Sequence, residues 1–255
     1  MDFIELTVDD GVGTITIDRP EKKNAMSYAM LGALGRAFEE AATRPDVRGV
    51  VLTGVPGSFC AGTDLSDLDA TPTDERSNGG LGRHAFLDCP KPVVAAVDGP
   101  AVGMGVEFAS MCDVRVASER ARFGWVFVHR GLIPDTGAGT WLLPRLVGVE
   151  RAALLVFSGE IIDAAEAHRI GFVSELADDG TDVVTRATEI ARRFAAGSPF
   201  AVRESKRLLY DGLGRDWTTH RRANGEALER CFASDDHREG VASFLERRPA
   251  RFTGT

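Results

Sequence analysis

The sequence predicts an α/β protein built around a largely parallel β-sheet, with a helical region at its C-terminal end. Between residue 92 and about residue 175, short apolar runs alternate with helical patterns, as in right-handed βαβ units. The run 92–97 (PVVAAV) is almost continuously apolar, which is typical of a strand covered on both faces. From Asp182 to Arg247 the pattern is helical throughout. We therefore expect a core over residues 1–195 and a helical region over residues 196–255.

The amino-acid composition and net charge exclude several classes of protein. The 255 residues suffice for one large domain, and 44% hydrophobic with 27% charged residues is ordinary for a globular protein. A net charge of −8 without a basic cluster argues against a nucleic-acid partner, and no apolar stretch is long enough to span a bilayer. The four cysteines are scattered and the first residues lack the layout of a secretory signal. We expect reduced thiols, a cytoplasmic protein, no membrane contact and no metal site.

The elements before residue 92 follow from short-range patterns. Residues 3–18 alternate apolar and polar side chains around an Asp-Gly pair, which predicts a β-hairpin. Ser27 is expected to cap the amphipathic helix that follows it. Residues 49–54 read as a buried strand. Residues 66–82 have no periodicity, so we expect a mobile loop or a lid there.

The most informative stretch is 92–118, in which a strand, a glycine-spaced turn, a helix over 106–112 and a second strand follow one another. The glycines let the backbone approach a neighbour closely, and a helix that begins there presents unpaired N–H groups. Glu107 lies in the first turn of this helix. We interpret the turn as half of an oxyanion site with Glu107 as a carboxylate beside it. The alternative is that Glu107 only favours the helix dipole.

Five segments resemble, in order and spacing, the signature blocks of the crotonase (enoyl-CoA hydratase/isomerase) superfamily. They are RPEKKNAMS, GSFCAGTDL, AVDGPAVGMGVEFASMCDVRVAS, FGWVFVHRGLIPDTGAGTWLLPRLVG and the ending REGVASFLERRPARFTG. The resemblance implies a spiral of ββα units with a helical C-terminal trimerisation subdomain, assembled as a homotrimer or a dimer of trimers. It also implies an acyl-CoA thioester substrate from fatty acid metabolism, with coenzyme A as part of the substrate and no separate cofactor.

The same resemblance assigns roles to individual residues. The main-chain N–H groups of Thr63 and Met104 would form the oxyanion hole that holds the thioester oxygen. In relatives, the tail that holds Arg248 and Phe252 in this chain reaches a neighbouring subunit's ligand. The residues that would lie along coenzyme A are Lys22, Lys23, Asn24, Ala25, Ala61, Asp64 and Leu65.

The carboxylates indicate the reaction. Hydratases of this family use two glutamates; Glu107 matches the first, but Phe127 occupies the second position. Asp135 resembles the aspartate of the family's acid/base isomerases, although DTGAGTW is one residue longer than their DxGGTW pattern. We expect Glu107 and Asp135 to share proton transfer in an enoyl-CoA isomerase, with Phe127 keeping the site dry.

Several alternatives stay open. One alternative is hydration of a 2-enoyl-CoA, with Glu107 and either Asp135 or His129 acting on water. Another is that the chain only binds acyl-CoA without turnover. Asp135 would in the simplest case be the N-cap of a helix that continues to Val147. His129 would be a hydrogen-bonded residue of a buried strand. Trp125 would be a packing residue whose indole N–H needs a hydrogen-bond acceptor.

Overall fold

The computed structural model describes residues 3–64, 86–177 and 182–255, and its mixed α/β architecture confirms the predicted fold class. The strands, in chain order, are β1 (Ile4–Asp9), β2 (Val12–Ile17), β3 (Gly49–Gly54), β4 (Val93–Val97), β5 (Pro100–Val102), β6 (Val114–Ala117), β7 (Arg122–Gly124), β8 (Ile161–Asp163) and β9 (Glu175–Leu176). Six of them form the main sheet in the order β1-β2-β3-β4-β6-β9. Only the hairpin pair β1–β2 is antiparallel in this sheet, as the sequence predicts.

A second sheet of three short strands, in the order β5-β7-β8, was not predicted. Strand β5 has three residues and follows directly on the turn that ends β4. Three residues are too few to show a strand period in the sequence. The sheet matters for the site because β5 leads straight into the next helix.

The helices, in chain order, are α1 (Tyr28–Thr43), α2 (Met104–Met111), α3 (Ala138–Trp141), α4 (Leu143–Val147), α5 (Val149–Ser158), α6 (Ala164–Arg169), α7 (Val183–Ala195), α8 (Pro199–Gly212), α9 (Trp217–Ala233) and α10 (Asp235–Glu246). Two 3₁₀ helices lie over Pro20–Lys22 and Val126–Arg130. The predicted cap of α1 is confirmed, since Ser27 Oγ accepts a hydrogen bond from Met30 N at 3.2 Å.

Both faces of the main sheet are covered, which explains the continuous apolar runs of its central strands. Side chains of β3 alternate between the two sides: Val50 and Leu52 belong to the apolar cluster that also holds the buried side chains of α1, whereas Val51 belongs to the cluster of α7. The carboxyl ends of β3 and β4 lead into segments 55–64 and 98–105, and these carry the predicted site. The sheet therefore fixes where the two segments meet.

The helical pattern predicted from Asp182 to Arg247 is confirmed, and it consists of the helices α7 to α10. The proposed division after residue 195 coincides with the end of α7, and it stays a proposal. In residues 3–64, 86–177 and 182–255, no helix combines the length and the apolar character needed to cross a membrane. The predicted loop over 66–82 falls within residues 65–85, outside the described residues.

Candidate active site

Segments 60–63 and 100–105 lie side by side, and glycines set their separation. Main-chain hydrogen bonds of 2.9 and 3.0 Å join the two segments. A Cβ atom on Gly105 would lie 2.1 Å from the carbonyl oxygen of Cys60. A Cβ atom on Gly62 would lie 2.9 Å from a carbonyl oxygen of the facing segment. Only glycine permits so close an approach of one backbone to another.

The two predicted oxyanion donors flank this contact. The side chains of Thr63 and Met104 meet, with 4.0 Å between Thr63 Oγ1 and the sulfur of Met104. Helix α2 begins at Met104, two residues earlier than predicted, because Gly103 adopts a φ of +57° and ends β5 there. Among the hydrogen bonds of the described residues, neither Thr63 N nor Met104 N is a donor. The predicted pair is thus adjacent and its amides are unengaged.

Glu107 lies in the first turn of α2 and no part of it is exposed. Its Oε2 accepts a hydrogen bond from Thr136 Oγ1 at 2.6 Å. Its Oε1 has no hydrogen-bond partner in the described part of the chain, and the same is true of the buried Nε1 of Trp125. Gly139 packs against this carboxyl, because a Cβ atom there would lie 2.7 Å from Oε1. The carboxyl is therefore enclosed and held by one hydrogen bond.

Burial raises the pKa of Glu107 from 4.5 to about 7. The hydroxyl of Thr136 and the main-chain N–H of Gly139 lower this pKa, while the negative charge of Asp135 raises it. The indole N–H of Trp125 also lowers it, although its contact falls short of hydrogen-bond geometry. A carboxyl with a pKa near neutrality suits general acid or base catalysis at neutral pH.

Asp135 lies on the exposed loop before α3, in electrostatic contact with the buried site. Its charge raises the pKa of Glu107, as described above. It also adds to the effect of burial, which raises the pKa of the Cys60 thiol to about 12. The charge of Asp135 therefore acts on both Glu107 and the segment that carries the predicted oxyanion donors.

The prediction that Asp135 caps a helix continuing to Val147 is wrong. Gly137 occupies the N-cap of α3, and it has no side chain with which to cap the helix. The segment is also split into α3 and α4, with Pro144 in the first turn of α4. Proline has no N–H with which to continue the hydrogen bonding of a preceding helix. Asp135 is thus not explained by a capping role.

The predicted buried strand around His129 is also wrong. Phe127 and His129 lie on a 3₁₀ helix, in which Phe127 is buried and His129 is exposed. The ring of His129 packs on Gly159, where a Cβ atom would lie 2.6 Å from Nε2. The apolar residues of this stretch resemble the pattern of a strand. The chain instead forms a 3₁₀ helix, in which Phe127 is the buried residue. The structure does not bring His129 into the enclosed pocket of Glu107.

Two residues predicted to lie along coenzyme A have side chains engaged within the protein. Asn24 is fully buried; its Nδ2 donates to Ser58 O at 2.6 Å, and its Oδ1 accepts from Arg19 N at 2.8 Å. Asp64 is buried beside Arg19, with 2.9 Å from its Oδ2 to Arg19 Nη2, and Lys22 Nζ lies 3.9 Å from the same oxygen. These side chains fasten the 19–26 loop to the 58–64 segment, a role that sequence analysis did not assign.

The other residues predicted along coenzyme A differ in exposure. Lys22 and Lys23 are exposed on the 19–26 loop. Ala25 and Ala61 are half-buried, and Leu65 lies outside the described residues. Their contact with coenzyme A stays a prediction.

The two tail residues are engaged with their own chain. Arg248 pairs with Glu239 and Glu246, and the carbonyl oxygen of Phe252 accepts a hydrogen bond of 2.7 Å from Arg48. The first contact holds the tail against α10, and the second holds it against the core just before β3.

Sequence analysis did not single out Thr136. Its hydroxyl is the hydrogen-bond partner of the Glu107 carboxyl, and it lies next to Asp135 in the segment that is one residue longer than the isomerase pattern. That extra length is the signal that marks the turn as unusual. It does not reveal which side chain contacts Glu107, because the contact joins residues 29 positions apart.

Comparison with known proteins covers almost the whole chain. The sequence profile described as enoyl-CoA hydratase/isomerase matches residues 7–255. The 1,2-epoxyphenylacetyl-CoA isomerase of Escherichia coli K12 is 34% identical, with 100% of this chain and 99% of that protein covered. The short-chain-enoyl-CoA hydratase of Clostridium acetobutylicum is 37% identical, with 93% and 92% covered. A crystal structure of an enoyl-CoA hydratase from Bacillus anthracis superposes with a TM-score of 0.93 at 31% identity, covering 99% of this chain and 100% of that one.

Proposed function

The chain belongs to the enoyl-CoA hydratase/isomerase family, and we propose that it shifts a carbon–carbon double bond of an enoyl-CoA rather than adding water to one. The observation that carries this proposal is that the negative charge of Asp135 acts on the buried carboxyl of Glu107. A buried carboxyl of near-neutral pKa lies close to an exposed carboxyl, while Phe127 fills the position of a hydratase's second glutamate. Moving a double bond requires one proton to leave and one to return, and two carboxyls suffice for that.

The environments of the two carboxyls support different roles for them. Asp135 is exposed to solvent, so we assign it as the base that takes a proton from the acyl chain. Burial favours the neutral form of Glu107, so we assign it as the acid that returns a proton at the other carbon. Water excluded by Phe127 does not then compete for the intermediate.

Negative charge develops on the thioester oxygen when the proton leaves. We propose that the N–H groups of Thr63 and Met104 stabilise this enolate oxygen. A measured oxyanion-hole donor in another enzyme contributes about 2.7–4 kcal/mol, and the same order is expected for each N–H here. Fixed main-chain donors need no reorganisation during the reaction, which is why the glycine contacts that set their separation matter.

Turnover of two substrates tests the proposal. We expect the protein to isomerise a 3-enoyl-CoA and to leave crotonyl-CoA unhydrated. Asp135→Asn is expected to lower the isomerisation rate by about 10²–10⁴-fold, the usual contribution of one acid or base, with little change in thermal stability. The matched control is Asp10→Asn, which alters an exposed surface carboxylate paired with Arg192.

The outcomes separate the candidate functions. Hydration of crotonyl-CoA would favour the hydratase alternative, which has support in the name of the Clostridium relative. Unchanged turnover by the Asp135→Asn variant would remove Asp135 from the mechanism. Inertness of the wild-type protein toward a wide panel of enoyl-CoA thioesters would favour acyl-CoA binding without catalysis.

The substrate's nucleotide part is proposed to lie along the 19–26 loop. Lys22 and Lys23 are exposed there and can neutralise phosphate as point charges. Since Asn24 and Asp64 are committed to internal contacts, they would act by holding the loop in place. Coenzyme A is part of the substrate in this proposal.

We also propose that the protein is a homotrimer or a dimer of trimers. Large apolar side chains are exposed in the helical region, where Phe244 is 82% and Trp217 74% exposed. A groove of 630 Å³ lies between α8 and α9, away from the residues assigned to the active site. On the core, Ile133 and Phe157 are each 77% exposed. Such surfaces are typical of subunit interfaces, so the interface is proposed to extend beyond residues 196–255.

Localisation in the cytoplasm is proposed from the cysteines. Cys60, Cys89 and Cys112 are buried and free, and Cys231 is half-buried and free. Unpaired thiols are usual in reducing compartments.

A further inference from the structure

The hydroxyl of Thr136 has two hydrogen bonds that fix its direction. Its oxygen accepts from Ala138 N at 3.2 Å, and its single proton is donated to Glu107 Oε2 at 2.6 Å. Among the hydrogen bonds of the described residues, this hydroxyl donates to no other acceptor. Oε2 therefore serves as a hydrogen-bond acceptor.

The direction of this bond decides where a proton on Glu107 resides. An oxygen that accepts the Thr136 proton is not favoured to carry a second one, so a neutral Glu107 carries its proton on Oε1. Oε1 is the carboxyl oxygen without a partner among residues 3–64, 86–177 and 182–255. Gly139 packs against Oε1 and restricts rotation of the carboxyl plane, because a Cβ atom there would lie only 2.7 Å away.

We propose that Thr136 is a positioning residue, which by donating to Glu107 Oε2 places the acidic proton on Oε1 and presents it to the substrate. The inference rests on the proposed role of Glu107 as an acid. It deepens that role by naming the oxygen that transfers the proton and the residue that selects this oxygen.

The surroundings of Glu107 define how the contact affects its titration. Asp135 on the preceding loop is the charged group that acts on it. Trp125 and the main-chain N–H of Gly139 lie near it as neutral donors, at contacts that fall short of hydrogen-bond geometry. Removal of the Thr136 hydroxyl takes away a donor that favours the charged form, so the pKa of Glu107 should rise. A residue with a purely structural role would not change this pKa.

The test compares Thr136→Val, which has the same shape without the hydroxyl, with Thr136→Ser, which keeps it. Thr140→Val is the matched control, since Thr140 is exposed and its hydroxyl donates only to Gly137 O. The titration of Glu107 is followed by NMR of protein labelled with ¹³C at glutamate carboxyls, and Glu107→Gln assigns the signal. The rate of isomerisation is measured against pH in parallel.

Thr136→Val is expected to raise the pKa of Glu107 by about one unit, because hydrogen bonds to charged groups are among the stronger ones. Its kcat should fall roughly tenfold at low pH with little change in KM, since proton placement rather than binding is lost. The alkaline limb of the rate profile should move upward by the same unit. Thr136→Ser should restore the wild-type titration and profile, and Thr140→Val should match the wild type.

An unshifted Glu107 titration in Thr136→Val would overturn the proposal, and so would a shifted titration with an unchanged kcat. If the valine variant does not fold, Thr136→Cys replaces it; its weaker S–H donor should give a smaller shift in the same direction, and no shift would refute the idea. The titration does not depend on turnover. A protein that hydrates but does not isomerise would therefore contradict the proposed function without deciding the Thr136 contact.

Discussion

Replacement of Glu107 by glutamine should remove a pH-dependent cost in stability. The pKa of this carboxyl rises from 4.5 to about 7 on folding, because the side chain is completely buried. The folded state therefore holds its proton more tightly than the unfolded state, and the free energy of unfolding falls as pH rises from 4.5 through 7. At about 1.4 kcal/mol per pKa unit, the full cost above neutrality is on the order of 3 kcal/mol.

The expected result is a difference that grows with pH. Between about pH 5.5 and about pH 8.5, the stability of Glu107→Gln relative to the wild type should increase by about 2 kcal/mol. For a chain of this size, that corresponds to about 4–8 °C in melting temperature. The loss of any fixed contact by glutamine is the same at both pH values and cancels in the comparison. Turnover by this variant should be lost at both.

Thermal unfolding at equal protein concentrations measures this difference, since oligomerisation makes the melting temperature depend on concentration. Glu39→Gln on the exposed side of α1 is the matched control for the loss of one carboxylate. A difference for Glu107→Gln that is the same at both pH values would refute the reasoning. It would mean that the buried carboxyl titrates near its ordinary range.

Two further predictions concern the backbone contact and the assembly. Gly105→Ala would place a Cβ atom 2.1 Å from Cys60 O, so turnover and melting temperature should both fall. The control Gly225→Ala, which has open space around it, should leave both nearly unchanged. Normal turnover by Gly105→Ala would show that the separation of the two segments is not critical. Light scattering at micromolar concentration should give the mass of three or six chains, because apolar side chains such as Phe244 and Phe157 are exposed on the single chain. A monomeric mass would contradict the proposed interface.

Sequence patterns predicted most of the fold because its signals are local or strongly periodic. Ser27 caps α1 as expected, strand β3 has the predicted bounds of Gly49–Gly54, and the helices after Asp182 follow their apolar periods. The resemblance to known blocks also placed Glu107 and Asp135 in one site before any geometry was available. These features depend on short spacings that a sequence displays directly.

The failures occurred where tertiary contacts decide the local conformation. His129 lies on a 3₁₀ helix rather than a strand, and Asp135 is not a helix cap because Gly137 takes that position. Strand β5 is defined by its pairing with β7, and a three-residue pattern does not predict this pairing. In each case packing between distant residues, rather than the local sequence pattern, determined the conformation.

The sequence by itself determined the α/β class, the order of the elements and the residue types that carry acid/base chemistry. Only the tertiary structure decided that Thr136 donates to Glu107, that Asn24 and Asp64 are used to fasten a loop, and that the carboxyl is fully enclosed. The physical reason is that burial and hydrogen-bond direction depend on groups distant along the chain. A carboxyl has an ordinary pKa until the folded protein removes the water around it.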